Sequence, residues 1–247
     1  MSGPIARLDQ YWAHELGCMN SALYSGKLVV IAPPHRDGPR WMGWLVPLEC
    51  IVVNGADPGS GVVSIAPNLA AGLTRYLTPP VTARDVLPPG GYVLQRFARA
   101  SLPGGMPRIH NILYCADTSF TPAPDIFPVD LLSEDDIHAD WYRLHFDGPV
   151  FVARNERRSI VSWAAIKCKS VDIWEMAVAT ETAYRGLGLA RSVVSHATRA
   201  ALDAGKQPLY LHEISNQASA RVCQALGYQC YGYELTCETG RIMPKRR

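Results

Sequence analysis

The chain has 247 residues, of which 48% are hydrophobic and 19% are charged. A globular chain of this length and composition can bury one large core or two modest ones. Its 24 basic and 22 acidic residues give a net charge of +2 at pH 7. Such a balance provides no strong field for nucleic acid or for an anionic membrane surface. We therefore expect neither a nucleic-acid partner nor a membrane partner.

The N-terminal segment and the cysteines bear on where the protein works. The segment MSGPIARLDQ has no apolar run of a secretion signal, and Ser2 stands where N-myristoylation requires glycine. We therefore expect a cytoplasmic protein. The seven cysteines include no C-x-x-C pair, which is typical of reduced thiols. Cys223, Cys230 and Cys237 recur at intervals of seven, but a zinc site needs a fourth ligand and closer pairing, so we expect no metal.

The first half of the chain reads as a mixture of helices and strands. Hydrophobic spacing and turn residues predict a helix over 8–16, strands over 28–31, 42–46 and 62–65, a helix over 68–76, and a strand over 109–115. The segment DTSFTPAPDIFP, residues 117–128, has three prolines and reads as a linker. We predict an N-terminal α/β region of unknown role over 1–120 and a second domain over 121–247.

The second half has a more regular pattern. We predict a strand in DIFPVDLL, a helix starting at a Ser133 cap, and an antiparallel pair in PVFVARNE and RSIVSWAAIKCKS with a turn at 155–157. The strand DIWEMAVAT follows. A helix with an apolar face begins at Leu189 and stops at Gly205. A strand in PLYLHEI, a helix over 216–226 and a strand in YQCYGYELTC complete the order.

The stretch YRGLGLARS lies between a predicted strand and a predicted helix. A helix N-terminus leaves backbone N–H groups unpaired and carries partial positive charge, so this setting suits a phosphate. The Walker pattern G-x-x-x-x-G-K-[ST] is absent. The dinucleotide fingerprint would need Gly or Ala where Arg191 stands, and an acidic residue ending the next strand; Asp203 lies in the helix instead.

What remains is the pattern R-x-x-G-x-A, formed by Arg185, Gly188 and Ala190. With VATETAYRGLGLA before it and NQASARVCQALGY after it, the sequence resembles the GNAT superfamily of acyl-CoA-dependent N-acetyltransferases over roughly residues 125–235. The first 120 residues look only loosely like the extra region of two-part members. The resemblance implies the GNAT fold, a mixed and mostly antiparallel sheet flanked by helices, preceded here by a smaller α/β region.

The resemblance also implies which residues bind the cosubstrate acetyl-CoA. Val178 and Thr180 would offer backbone groups to the pantetheine arm. Asn216 would bond the pantetheine or brace the strands, although Asn is equally a preferred helix cap. The pyrophosphate would lie against the turn and the start of the helix, formed by Arg185, Gly186, Leu187, Gly188, Leu189 and Ala190.

Catalytic residues are less directly indicated. Members of the family often carry a tyrosine as general acid in the helix after the Asn, and the matching residue here is Cys223. A thiol can donate a proton, but a packing role is the alternative, and the acid stays unassigned. Glu175 on the central strand is the candidate base, or else a carboxylate paired with a neighbouring Lys or Arg. Glu213 is the second candidate base, with His212 beside it.

The acceptor is the least constrained part of the hypothesis. In SEDDIHADWYRLHFDG, the carboxylates of Asp135, Asp136 and Asp140 would suit a cationic amine, and Trp141 and Tyr142 would pack against it. A solvated helix start with core aromatics is the alternative. We predict transfer of an acetyl group to the primary amine of a small molecule by a monomer or homodimer. The alternatives are a peptide or protein N-terminal acetyltransferase and a non-enzymatic acyl-CoA sensor.

Overall fold

The structure is a computed structural model that describes residues 3–40, 43–77, 81–87, 92–124 and 127–241. Its helices are α1 Pro4–Leu16, α2 Pro67–Tyr76, α3 Ala83–Val86, α4 Val93–Ser101, α5 Ala139–His145, α6 Leu189–Asp203 and α7 Gln217–Ala225. Its strands are β1 Leu28–Ile31, β2 Trp44–Leu45, β3 Leu48–Val53, β4 Gly61–Ile65, β5 Met106–Tyr114, β6 Asp130–Leu131, β7 Val150–Arg154, β8 Ile160–Cys168, β9 Ile173–Thr180, β10 Gln207–Glu213, β11 Gln229–Glu238 and β12 Gly240–Arg241. Among the residues described, no helix combines the length and the apolar character needed to cross a membrane.

The chain forms two compact units. Unit 1 comprises Met1–Arg7 and Ile112–Cys230, and unit 2 comprises Leu8–Asn111 and Tyr231–Arg247, each described within the ranges given above. This division differs from the single boundary that the sequence predicts after residue 120. The reason is that β11 pairs along β3, from Gly232 opposite Val53 to Cys237 opposite Leu48. The assignment of separate roles to 1–120 and 121–247 stays a prediction.

Unit 1 has a mixed, mostly antiparallel sheet flanked by helices, as the sequence predicts. Its strand order is β5-β10-β9-β8-β7-β6. The pairs β6/β7, β7/β8 and β8/β9 are antiparallel, and β9/β10 is parallel. Helix α6 packs across β7, β8 and β9 and buries Leu189, Val193, Ala197 and Ala201, the apolar face predicted from the 3.6-residue spacing. Glycines with positive φ follow α6 and α7 at Gly205 and Gly227.

Unit 2 has the strand order β1-β4-β3-β11-β5 and a separate pair, β2/β12. Its apolar core combines β3, β4 and β11 with side chains of the short helices, among them Leu73, Val86 and Phe97. Helix α2 begins with Pro67, a residue that suits the first helical position because its missing N–H would be unpaired there. Helix α1 buries Leu8, Tyr11, Trp12, Ala13 and Leu16.

A buried polar network links several elements of unit 2. Arg36 is only 2% exposed, and its guanidinium pairs with Glu49 on β3. It also donates to the Ser64 hydroxyl at 2.8 Å and to the Glu15 carbonyl at 2.9 Å. Burial raises the pKa of Glu49, but the Arg36 charge and hydrogen bond outweigh this and hold it below its ordinary value. An ion pair buried this way is costly to break on one side only.

Most predicted elements are confirmed, and three departures have physical reasons. The helix predicted from Ser133 begins at Ala139, because Asp136 accepts from the His138 N–H and pairs with Arg154, which holds 133–138 in turns. The predicted linker is held by hydrogen bonds. The Thr121 N–H donates to the Leu226 carbonyl, and the Ala123 N–H donates to the Ser195 hydroxyl. The sequence does not predict β3 or helices α3 and α4. Residue 42, residues 125 and 126, and the end of the chain from 242 lie outside the described residues.

We predict that Glu234 makes unit 2 less stable at high pH. Burial raises its pKa to about 7, aided by the Glu49 charge and opposed by a hydrogen bond with His110, whose Nδ1 lies 3.0 Å away. The folded protein therefore holds a proton between about pH 4.5 and 7 that the unfolded chain has released. The contribution of Glu234 to stability is therefore complete below this window, and up to about 3 kcal/mol of it is lost as pH rises through the window. The Glu234→Gln variant should lack this loss.

Urea unfolding of the wild type and Glu234→Gln at pH 5.5 and pH 8 measures the effect, since other titrating groups are common to both proteins. The variant's advantage in free energy of unfolding should be larger at pH 8. An equal difference at both pH values would contradict the prediction.

Candidate functional site

The site begins where two parallel strands of unit 1 stop pairing. The register of β9 with β10 runs from Ile173 opposite Gln207 to Met176 opposite Tyr210 and ends there. On its other side β9 stays paired with β8 as far as Thr180, opposite Ser162. The backbone of β9 from Ala177 to Thr180 therefore has one edge without a ladder partner on β10. Such an edge can hydrogen-bond an extended ligand.

The chain then turns into helix α6 through the glycines. Gly186 and Gly188 have φ values of 81° and 87°, a backbone conformation that residues other than glycine rarely adopt. Apart from the glycine itself and its chain neighbours, no described residue has a heavy atom within 4 Å of the position that a Cβ would take at either residue. The backbone is thus open to a ligand at the start of α6, where the first N–H groups have no partner within the helix. Arg185 is exposed at this turn, and its Nε donates to the Thr180 carbonyl at 3.3 Å.

A cavity of about 960 Å³ lies along this edge and turn. Its lining contains three arginines and no carboxylate, so its field favours an anion. Every residue that the sequence predicts as cofactor-binding lines it: Val178, Thr180, Arg185, Gly186, Leu187, Gly188, Leu189, Ala190 and Asn216. We call this space the donor cavity.

The donor cavity also has lining residues that the sequence reasoning missed. They are Ala179, Tyr184, Arg191, Tyr210, Ala218, Ser219, Arg221, Val222 and Ala225. Four of those on α7, Ala218, Arg221, Val222 and Ala225, have the spacing i, i+3, i+4, i+7 of one helix face. No sequence pattern predicts Tyr210 in the lining, because its place there depends on where β10 separates from β9.

Asn216 takes the capping role that the sequence left open. Its Oδ1 accepts a hydrogen bond from the Ser219 N–H at 3.1 Å, which caps the N-terminus of α7. The same residue lines the donor cavity. Capping uses the side-chain oxygen and leaves the amide nitrogen as a donor.

The predicted catalytic residues lie outside the donor cavity. Glu175 is 7% exposed and pairs with Lys167 at 2.7 Å and Lys169 at 3.6 Å, which is the alternative that the sequence left open. Glu213 is exposed, and its carbonyl accepts from the Asn216 N–H. His212 is buried and contacts the Glu213 carbonyl through Nδ1 at 2.9 Å. Their roles in catalysis stay predictions.

Cys223 has the environment of a packing residue. It is fully buried in the apolar core with Ala197, Leu226 and Tyr228, and it is not among the residues that line the donor cavity. Burial raises the pKa of its thiol above the ordinary value, so a reactive thiolate is disfavoured.

A second cavity of about 530 Å³ lies beside α5, where β8 begins and β9 ends. We call it the acceptor cavity. Trp141, Tyr142 and Trp163 form its aromatic wall, with Trp163 5.5 Å from the Tyr142 ring and 6.0 Å from the Trp141 ring. Its remaining lining is His138, Ser159, Ile160, Val161, Ala179, Thr180 and Glu181. Ala179 and Thr180 line both cavities.

The carboxylate of the acceptor cavity is not one that the sequence suggested. Asp136 pairs with Arg154, and the Asp140 side chain is 99% exposed with Arg143 3.9 Å away. Asp135 is exposed and does not line the cavity. Glu181 takes this place, because it follows the last residue of β9. Within the described ranges, no three His, Cys, Asp or Glu side chains are grouped to hold a metal ion.

Comparison with known proteins agrees with this geometry. Residues 140–234, from α5 into β11, match the family model described as GNAT acetyltransferase. Over these residues the chain is similar to GNAT acetyltransferases. The matched residues include the edge of β9, the glycine turn and α7, which together line the donor cavity. A search of curated proteins gave no match.

Solved structures similar to this chain also include GNAT proteins. One is a GCN5-related N-acetyltransferase-like protein from Streptococcus suis, 19% identical over 59% of this chain and 67% of that chain, with a TM-score of 0.47. Another, of the GNAT family from Novosphingobium aromaticivorans, is 20% identical over 76% and 87%, with a TM-score of 0.47. A GCN5-related N-acetyltransferase from Kribbella flavida is 15% identical over 61% and 65%, with a TM-score of 0.45. At these values the likeness carries no argument about activity, and the assignment rests on the family model.

The capping role of Asn216 predicts a difference between two substitutions. Asn216→Ala removes the acceptor for the Ser219 N–H and should cost about 1 kcal/mol of stability. Asn216→Asp puts a carboxylate oxygen where the amide oxygen was, so the Ser219 N–H keeps an acceptor. This variant should have a stability near that of the wild type. Thermal unfolding of the three proteins without ligand measures this. Equal losses in both variants would show that the cap contributes nothing.

Proposed function

We propose that the protein transfers an acetyl group from acetyl-CoA to the primary amine of a small molecule. The observation that carries this proposal is the donor cavity, in which a glycine turn, three arginines and an unpaired strand edge line one continuous space. Each of these features matches one part of an acyl-CoA, from its phosphates to its extended arm.

The phosphate end of acetyl-CoA is best accommodated at the turn. Gly186 and Gly188 leave the backbone open, and the start of α6 offers N–H groups together with the positive end of the helix dipole. Arg185, Arg191 and Arg221 supply positive charge within the lining. Their number suits a ligand with several phosphate groups.

The pantetheine arm would extend from this turn along β9. Its amides can pair with the backbone of Val178 and Thr180 on the edge that β10 leaves open. Asn216 approaches the same space from the start of α7 and can donate from its amide nitrogen. The thioester then lies near the point where β9 and β10 part, and a β9 N–H can polarise its carbonyl.

The amine would enter from the acceptor cavity. Ala179 and Thr180 form the wall that the two cavities share, so a nucleophile there is close to the donor's arm. The aromatic wall suits an apolar or aromatic body, and Glu181 suits its ammonium group. The amine must lose a proton before it attacks the carbonyl. Side chains alternate along a strand, so Glu175 shares the β9 face of Ala179 and Glu181, and its role as base stays a prediction.

Acetyl-CoA binding and turnover should be measured on one preparation. Thermal shift with millimolar acetyl-CoA tests the donor cavity, and a thiol-reactive dye then reports coenzyme A release over a panel of amines and short peptides. Stabilisation with turnover on small amines is expected. Turnover on peptides alone would favour the N-terminal acetyltransferase, and stabilisation without turnover would favour a sensor. An unchanged melting temperature would overturn the proposal.

Gly188 should be required for donor binding, and Gly205 offers a matched control. Both have positive φ, at 87° and 69°, and open space around a Cβ. Leucine at either residue adopts an unfavourable backbone conformation, which costs about 1–2 kcal/mol. Gly188→Leu should also place a side chain where the phosphates bind and abolish the acetyl-CoA thermal shift. Gly205→Leu, at the other end of α6, should retain the shift. Equal shifts in both variants would place the phosphates elsewhere.

Glu181 should affect the acceptor and not the donor. Glu181→Gln removes the carboxylate of the acceptor cavity, so KM for a cationic amine should rise about two- to fivefold, the range of a solvent-accessible ion pair. The thermal shift with acetyl-CoA should not change. Glu156→Gln, an exposed residue outside both cavities, is the control. An unchanged KM in Glu181→Gln would remove Glu181 from the acceptor site.

A further inference from the structure

The hydroxyl group of Tyr210 is buried without a partner. The residue is 1% exposed, and its hydroxyl has no hydrogen bond with any described residue. Buried polar atoms in folded proteins are nearly always paired, and an unpaired one costs free energy. Tyr210 also lines the donor cavity. A hydroxyl that is unpaired in the protein and lies beside a ligand cavity is available to the ligand.

The hydroxyl groups of two other tyrosines in this unit do have hydrogen-bond partners. The Tyr184 hydroxyl accepts from the Asn155 side chain at 3.0 Å, and the Tyr228 hydroxyl contacts the Thr198 hydroxyl at 2.8 Å. The Ser219 hydroxyl lies near enough to Tyr210 to favour the ionised phenol, yet the two groups do not reach hydrogen-bond geometry. The absence of a partner is therefore particular to Tyr210 among these three residues.

Tyr210 lies where the unpaired edge of β9 begins, and it lines the donor cavity. Tyr210 is opposite Met176 in the last pair of β9 and β10. An acyl-CoA with its phosphates at Gly186 and Gly188 and its arm along Val178 points its sulfur toward this pair. Cys223 of α7 is close to the phenol, since its charge would act on the phenol's ionisation.

Resting on the proposed function, we propose that the Tyr210 hydroxyl is the catalytic acid of this domain, donating its proton to the sulfur of the departing coenzyme A. The tyrosine expected on α7 is replaced by Cys223, and β10 supplies a phenol beside it. This assigns the general acid to a strand residue.

The step balances with acetyl-CoA and the amine alone. The amine nitrogen forms a bond to the thioester carbonyl carbon, and the carbon–sulfur bond then breaks with its electron pair moving to sulfur. The phenolic proton moves to that sulfur, which leaves as the thiol. The transient phenolate takes up a proton released from the amine nitrogen, directly or through water, so the products are the amide and free coenzyme A.

The surroundings of Tyr210 keep the group in the form that this role requires. Burial, the largest cause, raises the pKa of Tyr210 above its ordinary value, so the phenol is protonated across the neutral range. The thiol of Cys223 is also kept protonated by burial. Tyr210 and Cys223 belong to the same buried core, but of the two Tyr210 alone lines the donor cavity. The phenol is therefore the proton donor that can reach the ligand.

The test compares the same substitution at two tyrosines. Tyr210→Phe removes an unpaired hydroxyl, so the melting temperature should not fall, while the single-turnover rate of acetyl transfer should drop about 100-fold with KM for acetyl-CoA unchanged. Tyr228→Phe removes a hydroxyl paired with Thr198, so it should lower the melting temperature and keep the rate. Cys223→Ala should also keep the rate.

The outcomes separate this inference from the proposed function. If the wild type turns over and Tyr210→Phe matches its rate, the inference is wrong and the acetyltransferase stands. If Cys223→Ala loses the rate while Tyr210→Phe retains it, the acid is the thiol. A melting temperature lowered in Tyr210→Phe would show that the hydroxyl is paired within the protein and would also overturn the inference. A wild type without turnover on any acceptor would overturn both.

Discussion

The end of pairing between β9 and β10 is the constraint on which the site depends. After Met176 and Tyr210 the two parallel strands have no common register, although β9 continues to Thr180 through its pairing with β8. Parallel strands that part in this way leave backbone groups on one edge without a ladder partner, and α6 and α7 are the next α-helices after the two strands in the chain. The helix starts therefore meet beside the open edge, which gives the donor cavity its phosphate end and its extended wall together.

Charge is distributed between the two cavities in a way that suits two different ligands. The donor cavity has three arginines and no carboxylate in its lining, whereas the acceptor cavity has Glu181 and an aromatic wall. Two carboxylates outside the cavity linings are neutralised locally, Glu175 by two lysines and Asp136 by Arg154. An anionic donor and a cationic acceptor would thus each meet a complementary field, in two cavities that share Ala179 and Thr180.

Elements whose apolar pattern is regular were predictable from sequence, and those that depend on distant partners were not. Helix α6 follows from its 3.6-residue spacing, and β7 and β8 from a polar turn between two apolar runs. Strand β3 was not predicted because Glu49 interrupts its apolar run, and in the structure that buried carboxylate pairs with Arg36, 13 residues earlier. Ser133 failed as a helix cap for a similar reason, since Arg154 and the turn at Asp136 determine where α5 begins.

The sequence by itself determined the donor side of the candidate site. Glycines with positive φ, the arginine before them and the start of a helix are local features, and local geometry follows from local residues. Only the tertiary structure decided the other side. That Glu181 is the carboxylate of the acceptor cavity, that Glu175 pairs with two lysines and that Tyr210 has an unpaired hydroxyl all depend on contacts across the sheet. Such contacts join residues far apart in the chain, and no spacing in the sequence records them.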